Sequence, residues 1–411
     1  MPHAASRSPA RTVLLLGAIP VMAYVAYWPL RLAWADHLAG AGDVDTVARA
    51  VRLSPDDADM RLKLAAAQQA VGADPSAALG AAVALDPGNA NAWTMLGLAA
   101  EIRGDSRAAE KYLRAAARAS RQFAPRWALA NFYFRRGDPA HFWPWARASL
   151  VMGYGDLNPV FRLCWNMSQD AGLIFERAIP QRATVLDSYV RFLIQEGRLA
   201  ASEEPATALA ALATADDQST LVAWCNRQID AGSVAAALEI WNTLCRRHLL
   251  PYGALDVDRA PLTDGAFAAP YVNAGFAWRI PPTAGVTVGQ NPSPRYLWVS
   301  FNGNQPESCA PLMQFVPVTP GAHYRLRFEY HTSDLPPASG LRWSISDGRT
   351  GSDLPNTSPS LSSPDWKPAE WSFQAPASGL ARLALTCRRV PGATRIEGSV
   401  ELRRLSLERS P

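Results

Sequence analysis

Tyr296 and Trp298 stand two positions apart in RYLWVSFNG, and Arg325, Arg327, Glu329 and His331 keep the same spacing in YRLRFEYH. Arg382, Thr386 and Arg388 follow it again in ARLALTCRR. In an extended chain, residues two apart share a face, so each run puts rings or charged groups on one side of a strand. Rings beside guanidinium and carboxylate groups suit a sugar. The ring stacks on the apolar face of a pyranose while Arg and Glu meet its hydroxyls. The competing reading of the same residues is a solvated outer face that carries two exposed aromatics.

Other chemistries find less support. Cleavage of a glycosidic bond needs two placed carboxylates; Glu329 with Glu370 or Asp347 is the available pairing, and solvated surface acids is the alternative for all three. There is no GxSxG, no HExxH and no glycine loop to cradle a phosphate. Catalytic residues are therefore not assigned, and no enzyme is expected. The five cysteines (Cys164, Cys225, Cys245, Cys309, Cys387) include no CxxC, and the six histidines are scattered, so neither a metal site nor a cofactor is expected. Cys309 with Cys387 is the pair to test as a disulfide, with buried free thiols as the alternative. A net charge of +4 over 411 residues, with acids and bases intermixed, argues against nucleic acid as a partner.

The elements that position these residues change along the chain. From about residue 262 the apolar period is two. Segments 296–303, 312–318, 324–331, 341–346, 370–374, 381–389 and 399–408 read as strands, separated by Pro- and Gly-bearing turns. Seven short strands without helices between them point to an antiparallel β-sandwich. Leu297, Val299 and Phe301, then Tyr324, Leu326, Phe328 and Tyr330, then Leu383, Leu385 and Cys387 form the faces expected to build its core.

Before residue 250 the text is Ala-rich and helical. Setting LSPDDADMRLKLAAAQQAVG against LDPGNANAWTMLGLAAEIRG at an offset of 32 aligns Leu53 with Leu85, Pro55 with Pro87, Leu64 with Leu96, Ala67 with Ala99 and Gly72 with Gly104. Trp93 and Trp127 are 34 apart, and Gly104-Asp105 and Gly137-Asp138 are 33 apart. Trp93, Leu96 and Ala100 make the apolar stripe of a first helix, and Gly97 allows close approach of a second whose face carries Ala109, Leu113 and Ala116. Gly104 supplies the turn between them. Trp93, Leu96, Gly97, Gly104, Ala109 and Ala116 resemble the tetratricopeptide-repeat (TPR) pattern, with Leu113 replacing an aromatic and Arg121 a proline. That resemblance implies stacked helical pairs over about 32–249 and a protein partner in their groove. A degenerate pair is read around Gly232, Ala237 and Trp241, residues 138–180 read as a repeat whose helices have drifted, with a ligand-facing elaboration as the alternative, and Trp93 and Trp127 are expected in the core.

The second half resembles the jelly-roll carbohydrate-binding modules of families four and nine. Asp264, Gly265 and Phe267 match their opening; Gln314, Val316, Pro320, Gly321 and Tyr324 match their central run. The resemblance implies a polysaccharide ligand and adds Gln314 to Tyr296, Trp298, Arg325, Arg327, Glu329 and Arg388 as the candidate glycan face. Arg403 and Arg404 stand where such modules often carry an acidic calcium pair, so no calcium is expected there.

At the start of the chain, residues 12–30 are 19 uncharged positions behind Arg7 and Arg11, about one bilayer core as a helix. A cleaved leader ending near Ala33-Trp34-Ala35 is the alternative. The expected architecture is thus a multidomain α-then-β chain: a cytoplasmic tail and transmembrane helix over 1–31, a TPR-like α-α superhelical solenoid over 32–249, and an antiparallel β-sandwich (jelly roll) over 250–411. The expected function is a single-pass inner-membrane scaffold with its bulk in the periplasm. Its repeats bind protein and its sandwich binds glycan, in bacterial envelope or exopolysaccharide assembly. The alternative is a structural assembly factor whose β-domain docks on protein.

Overall fold

A glycine in the left-handed region closes most of the helical hairpins of the first half. The computed structural model describes residues 9–336, 339–392 and 394–410; the side chains of residues 9–17 and 19 stand outside that description. The helices are α1 (Pro9–Ala39), α2 (Val44–Leu53), α3 (Ala58–Ala70), α4 (Ser76–Leu85), α5 (Ala90–Ile102), α6 (Ser106–Ala119), α7 (Phe123–Arg135), α8 (Pro139–Met152), α9 (Asn158–Met167), α10 (Ala171–Ala178), α11 (Ala183–Gln195), α12 (Glu203–Leu212), α13 (Gln218–Ala231) and α14 (Val234–Arg246). The chain divides into two compact units after Pro180.

In the first unit, α5 and α6 show how the local sequence builds a hairpin. Gly104 takes φ +83°, its N–H reaches Glu101 O, and the N–H of Asp105 reaches Ala100 O, which satisfies the orphan carbonyls at the end of α5. The Asp105 carboxylate then accepts the N–H of Ala108 at 2.9 Å and caps α6. Asp43, Asp138 and Asp170 cap α2, α8 and α10 in the same way. Leu96, Ala100, Ala109, Leu113 and Ala116 are buried. A Cβ on Gly97 would come within 2.7 Å of the Leu113 side chain, so glycine is what lets the two helices close. Trp93 and Trp127 are half-buried instead of fully in the core. Trp93 keeps its indole N–H on Pro87 O at 2.9 Å, which holds that edge at the hairpin surface. Residues 138–180 are helical, with Phe142, Phe161, Cys164 and Trp165 buried.

The transmembrane span expected over residues 12–30 lies within α1 and falls partly on side chains outside the description. Among the described residues no helix is long and apolar enough to cross a membrane. Val21, Met22, Tyr24, Val25, Leu30 and Trp34 of α1 are exposed.

Among the described residues the second unit joins the last helices to nine strands: β1 (Val286–Pro292), β2 (Arg295–Asn302), β3 (Ser308–Pro317), β4 (His323–Ser333), β5 (Leu341–Asp347), β6 (Asp353–Thr357), β7 (Lys367–Gln374), β8 (Leu380–Arg388) and β9 (Glu397–Arg409). They form two antiparallel sheets, β1-β2-β9-β4-β7 and β3-β8-β5-β6. The core between them holds Leu297, Val299, Phe301, Leu326, Phe328, Trp343, Leu383 and Leu385, the alternate residues that the period of two selects. Gly232 (φ +85°) turns α13 into α14, where Ala237 and Trp241 are buried. Trp241 stacks on Tyr252 at 5.8 Å and meets Phe276 edge-on. Asn226 accepts the N–H of Gly275 at 2.6 Å and a guanidinium N–H of Arg279 at 2.8 Å, fastening α13 to the segment that leads into the sandwich.

Candidate functional site

The outer face of the five-stranded sheet collects five of the seven expected residues. Tyr296 and Trp298 come from β2, and Arg325, Arg327 and Glu329 from β4; β9 lies between those strands. Trp298 is paired with Gly289 of β1 and Glu401 of β9. Any side chain at Gly289 would collide with the Trp298 indole, so the ring lies across bare backbone and is half-buried. His331 is paired in turn with Glu401. Their Nδ1 and Oε2 are 3.4 Å apart, within ion-pair reach but out of hydrogen-bond alignment.

Three groups that the sequence reading left out complete this face. Trp366, just before β7, meets Tyr296 edge-on at 6.0 Å and His331 at 5.9 Å. The Arg403 guanidinium lies 4.0 Å above its ring, and Glu401 sits between Trp298 and His331. The signal for Trp366 was present in SPDWKPAE, an aromatic one position before a strand; Arg403 and Glu401 follow from the parity of β9, read relative to its neighbours.

The charges are matched. A bulge between β4 and β9, with Arg404 at φ +53°, turns two consecutive arginines toward one acid. Arg403 Nε donates to Glu329 Oε2 at 2.7 Å and Arg404 Nη1 to Oε1 at 2.8 Å. These bonds, that of Arg403 foremost, hold the Glu329 carboxyl below the usual carboxylate range. Arg327 reaches Glu408 at 2.6 Å, and Arg325 and Arg327 approach Glu370 at 3.9 and 3.8 Å. A shallow depression of about 420 Å³ beside them is lined by Arg327, Glu329, Pro368, Glu370, Arg404 and Ser406.

Two expected residues do not belong here. Gln314 is fully buried on β3 of the other sheet. Its Oε1 accepts the N–H of Thr263 at 3.2 Å and its Nε2 donates to Thr263 O at 2.9 Å, so it pins the entry segment to the sandwich. Arg388 is exposed at the end of β8, also on the other sheet, opposite Ser308. Alternation along β8 separates its two faces correctly but does not say which sheet the strand joins.

Of the two acids weighed as partners for Glu329, Glu370 shares its face and lines the same depression, whereas Asp347 does not. Asp347 ends β5 of the four-stranded sheet, where it accepts the N–H groups of Arg349 and Thr350 at 2.8 and 3.1 Å. Glu329, anchored by two guanidiniums, is a poor proton donor near neutral pH.

In the first unit, a groove of about 320 Å³ is lined by Gln69, Asp74, Pro75, Ala99, Ile102 and Arg103. Ile102 is 83% exposed there, and Leu98 is exposed on the same helix. Arg135 grips Glu101 through two bonds of 2.7 and 2.6 Å.

No family model matches the chain and no curated protein matches it. Among solved structures it is similar to YrrB, a TPR protein with an unusual peptide-binding site, at 14% identity and TM-score 0.25, over 50% of this chain and 92% of that one. It is similar to TmCBM61, solved in complex with β-1,4-galactotriose, at 17% identity and TM-score 0.27, over 37% of this chain and 100% of that one. It is also similar to a CBM4 structure at 12% identity and TM-score 0.28, over 36% of this chain and 98% of that one. Each likeness spans half of this chain or less, and the functional reading rests on the side chains above.

Proposed function

We propose that this protein is a non-catalytic scaffold that holds a glycan on the outer face of its five-stranded sheet and a protein partner along its helical hairpins. The observation that carries the reading is the cluster of Tyr296, Trp298 and Trp366. Half-buried rings of this kind, edged by Arg403, Glu401 and His331, supply a stacking surface with hydrogen-bonding groups beside it. The exposed Ile102 and Leu98 of α5 support the protein-binding half of the reading. The exposed apolar side chains of α1, together with the uncharged run over 12–30, support a tether to a membrane. A single-pass inner-membrane protein with its bulk in the periplasm, acting in envelope or exopolysaccharide assembly, fits these parts together.

The test is titration of the full chain in detergent with a panel of bacterial polysaccharides, because α13 and α14 pack on the sandwich and belong with it. Binding that weakens in Trp298→Ala and in Trp366→Ala but survives in Arg388→Ala supports this face. Binding to no glycan, with the protein folded, overturns the glycan half and leaves the face to a protein.

A further inference from the structure

The five cysteines fall into two groups. Cys164, Cys225 and Cys245 are buried in the helices. Burial pushes the Cys164 and Cys245 thiols up to about 12, so they stay protonated and inert. Cys309 and Cys387 are different in kind. They stand directly opposite each other on β3 and β8. Opposed residues of an antiparallel pair have Cα atoms about 4.5–5.5 Å apart, inside the roughly 4.4–6.8 Å that a disulfide spans. Both side chains leave their strands on the core side. Cys387 is buried in the sandwich core, and Cys309 packs against that core while remaining half-exposed at the end of an edge strand.

The ladder needs support at this point. The register of β3 and β8 shifts between Cys309 and Leu312, so Ser308 and Cys309 are cut off from the regular pairing that runs from Leu312 to Pro317. Beyond them the N–H of Arg389 reaches Glu307 O at 2.7 Å.

We propose that Cys309 and Cys387 are a thiol–disulfide exchange site, oxidised by an incoming protein or small-molecule disulfide to an intrachain bond that locks the edge strand β3 to β8. Cys309 is the attacking group, because it alone of the two is reachable from solvent. Interaction between the two adjacent thiols lowers Cys309 from its ordinary value and, together with burial, raises Cys387, so Cys309 is the one that ionises first. The Cys309 thiolate attacks one sulfur of the incoming disulfide, forms a mixed disulfide and expels the other sulfur as a thiolate. Cys387 gives up its proton to that departing thiolate. Its sulfur then attacks Sγ of Cys309, the mixed disulfide breaks, and the second thiolate leaves and takes up from solvent the proton that Cys309 had released on ionising. Two thiols of the protein have become one disulfide, and the oxidant disulfide has become two thiols.

The experiment treats the full-length reduced protein with oxidised glutathione under native conditions, alkylates the remaining thiols, and maps non-reduced peptides by mass spectrometry. The expected result is loss of two hydrogens with a peptide joining Cys309 to Cys387, while Cys164, Cys225 and Cys245 are alkylated only after denaturation. Cys387→Ser is expected to accumulate a glutathione adduct on Cys309, and Cys309→Ser to acquire none on Cys387. Wild-type protein in which both residues remain thiols, or in which either joins another cysteine, overturns the proposal whatever the variants do. An adduct that forms equally well on Cys387 overturns the order of attack.

Discussion

The two outer faces of the sandwich carry similar numbers of arginines and treat them oppositely. On the five-stranded sheet, Arg325, Arg327, Arg403 and Arg404 lie against Glu370, Glu408 and Glu329, and three aromatic rings share the surface. On the four-stranded sheet, Arg342, Arg382 and Arg388 make no ion pair among the described residues. Arg382 Nε donates instead to the Ser346 hydroxyl at 2.8 Å, and Arg279 covers Phe315. A paired guanidinium is held in one place, so its remaining donors are aimed before a ligand arrives and less ordering is lost on binding. Arg388, exposed and without an ion pair among the described residues, is not held in this way. The difference marks the first face as a prepared surface, although both faces show the same alternation in sequence.

The sharpest way to break this comparison is to remove the rings. Loss of one stacked ring is expected to weaken glycan binding about tenfold, near 1.4 kcal/mol. The double variant Trp298→Ala/Trp366→Ala is therefore expected to lose about 100-fold if the two add. Titration calorimetry on both variants, with Arg382→Ala and Arg388→Ala as partners from the other face, checks this. An equal loss in the Arg388 variant would erase the distinction between the faces.

A second effect separates binding from folding on the four-stranded sheet. Gln314→Ala leaves the N–H and carbonyl of buried Thr263 without partners, and stranding such groups costs about 1–3 kcal/mol. The expected outcome is a lower thermal midpoint with unchanged glycan affinity of the folded protein. Weaker binding at an unchanged midpoint would return Gln314 to the site from which its burial removes it.

What the sequence made legible follows from the range over which each signal acts. Gly97 and Gly104 work within one hairpin, and their roles in close approach and turn could be read from spacing; Asp105 was noted only as a recurring partner of the glycine, and its cap on α6 came with the structure. The inner faces of β2, β4 and β8 were equally readable, because burial alternates along any strand with one face in the core. Sheet membership is not local: Arg388 was grouped with Arg325 because nothing in β8 itself says that it pairs with β3 and β5. Gln314 was placed by motif, whereas strand parity, with Val316 two positions on, points it inward beside Leu383. Trp366 lies just outside a strand, where alternation gives no instruction. Strands β1 and β6 went unread because Gly289 breaks the apolar pattern of one and DLPNT has none.

The smallest effect concerns pH and returns to the paired charges. Glu329 has its carboxyl pKa depressed in the folded protein by Arg403 and Arg404. A depressed carboxyl contributes stability that is present above its unfolded value, roughly 4.3, and lost as pH falls through the folded value. Because the pair is near the surface, the contribution is expected to be no more than about 1 kcal/mol. Wild type should therefore melt slightly above Glu329→Gln at neutral pH, and the two curves should converge in acid, below the depressed value. Arg388→Gln should run parallel to wild type throughout that window, since Arg388 pairs with no carboxylate among the described residues. A gap between wild type and Glu329→Gln that stays constant down to the lowest pH would mean that the glutamate supports the sheet through packing, and the matched charges of this face would then owe nothing to their pairing.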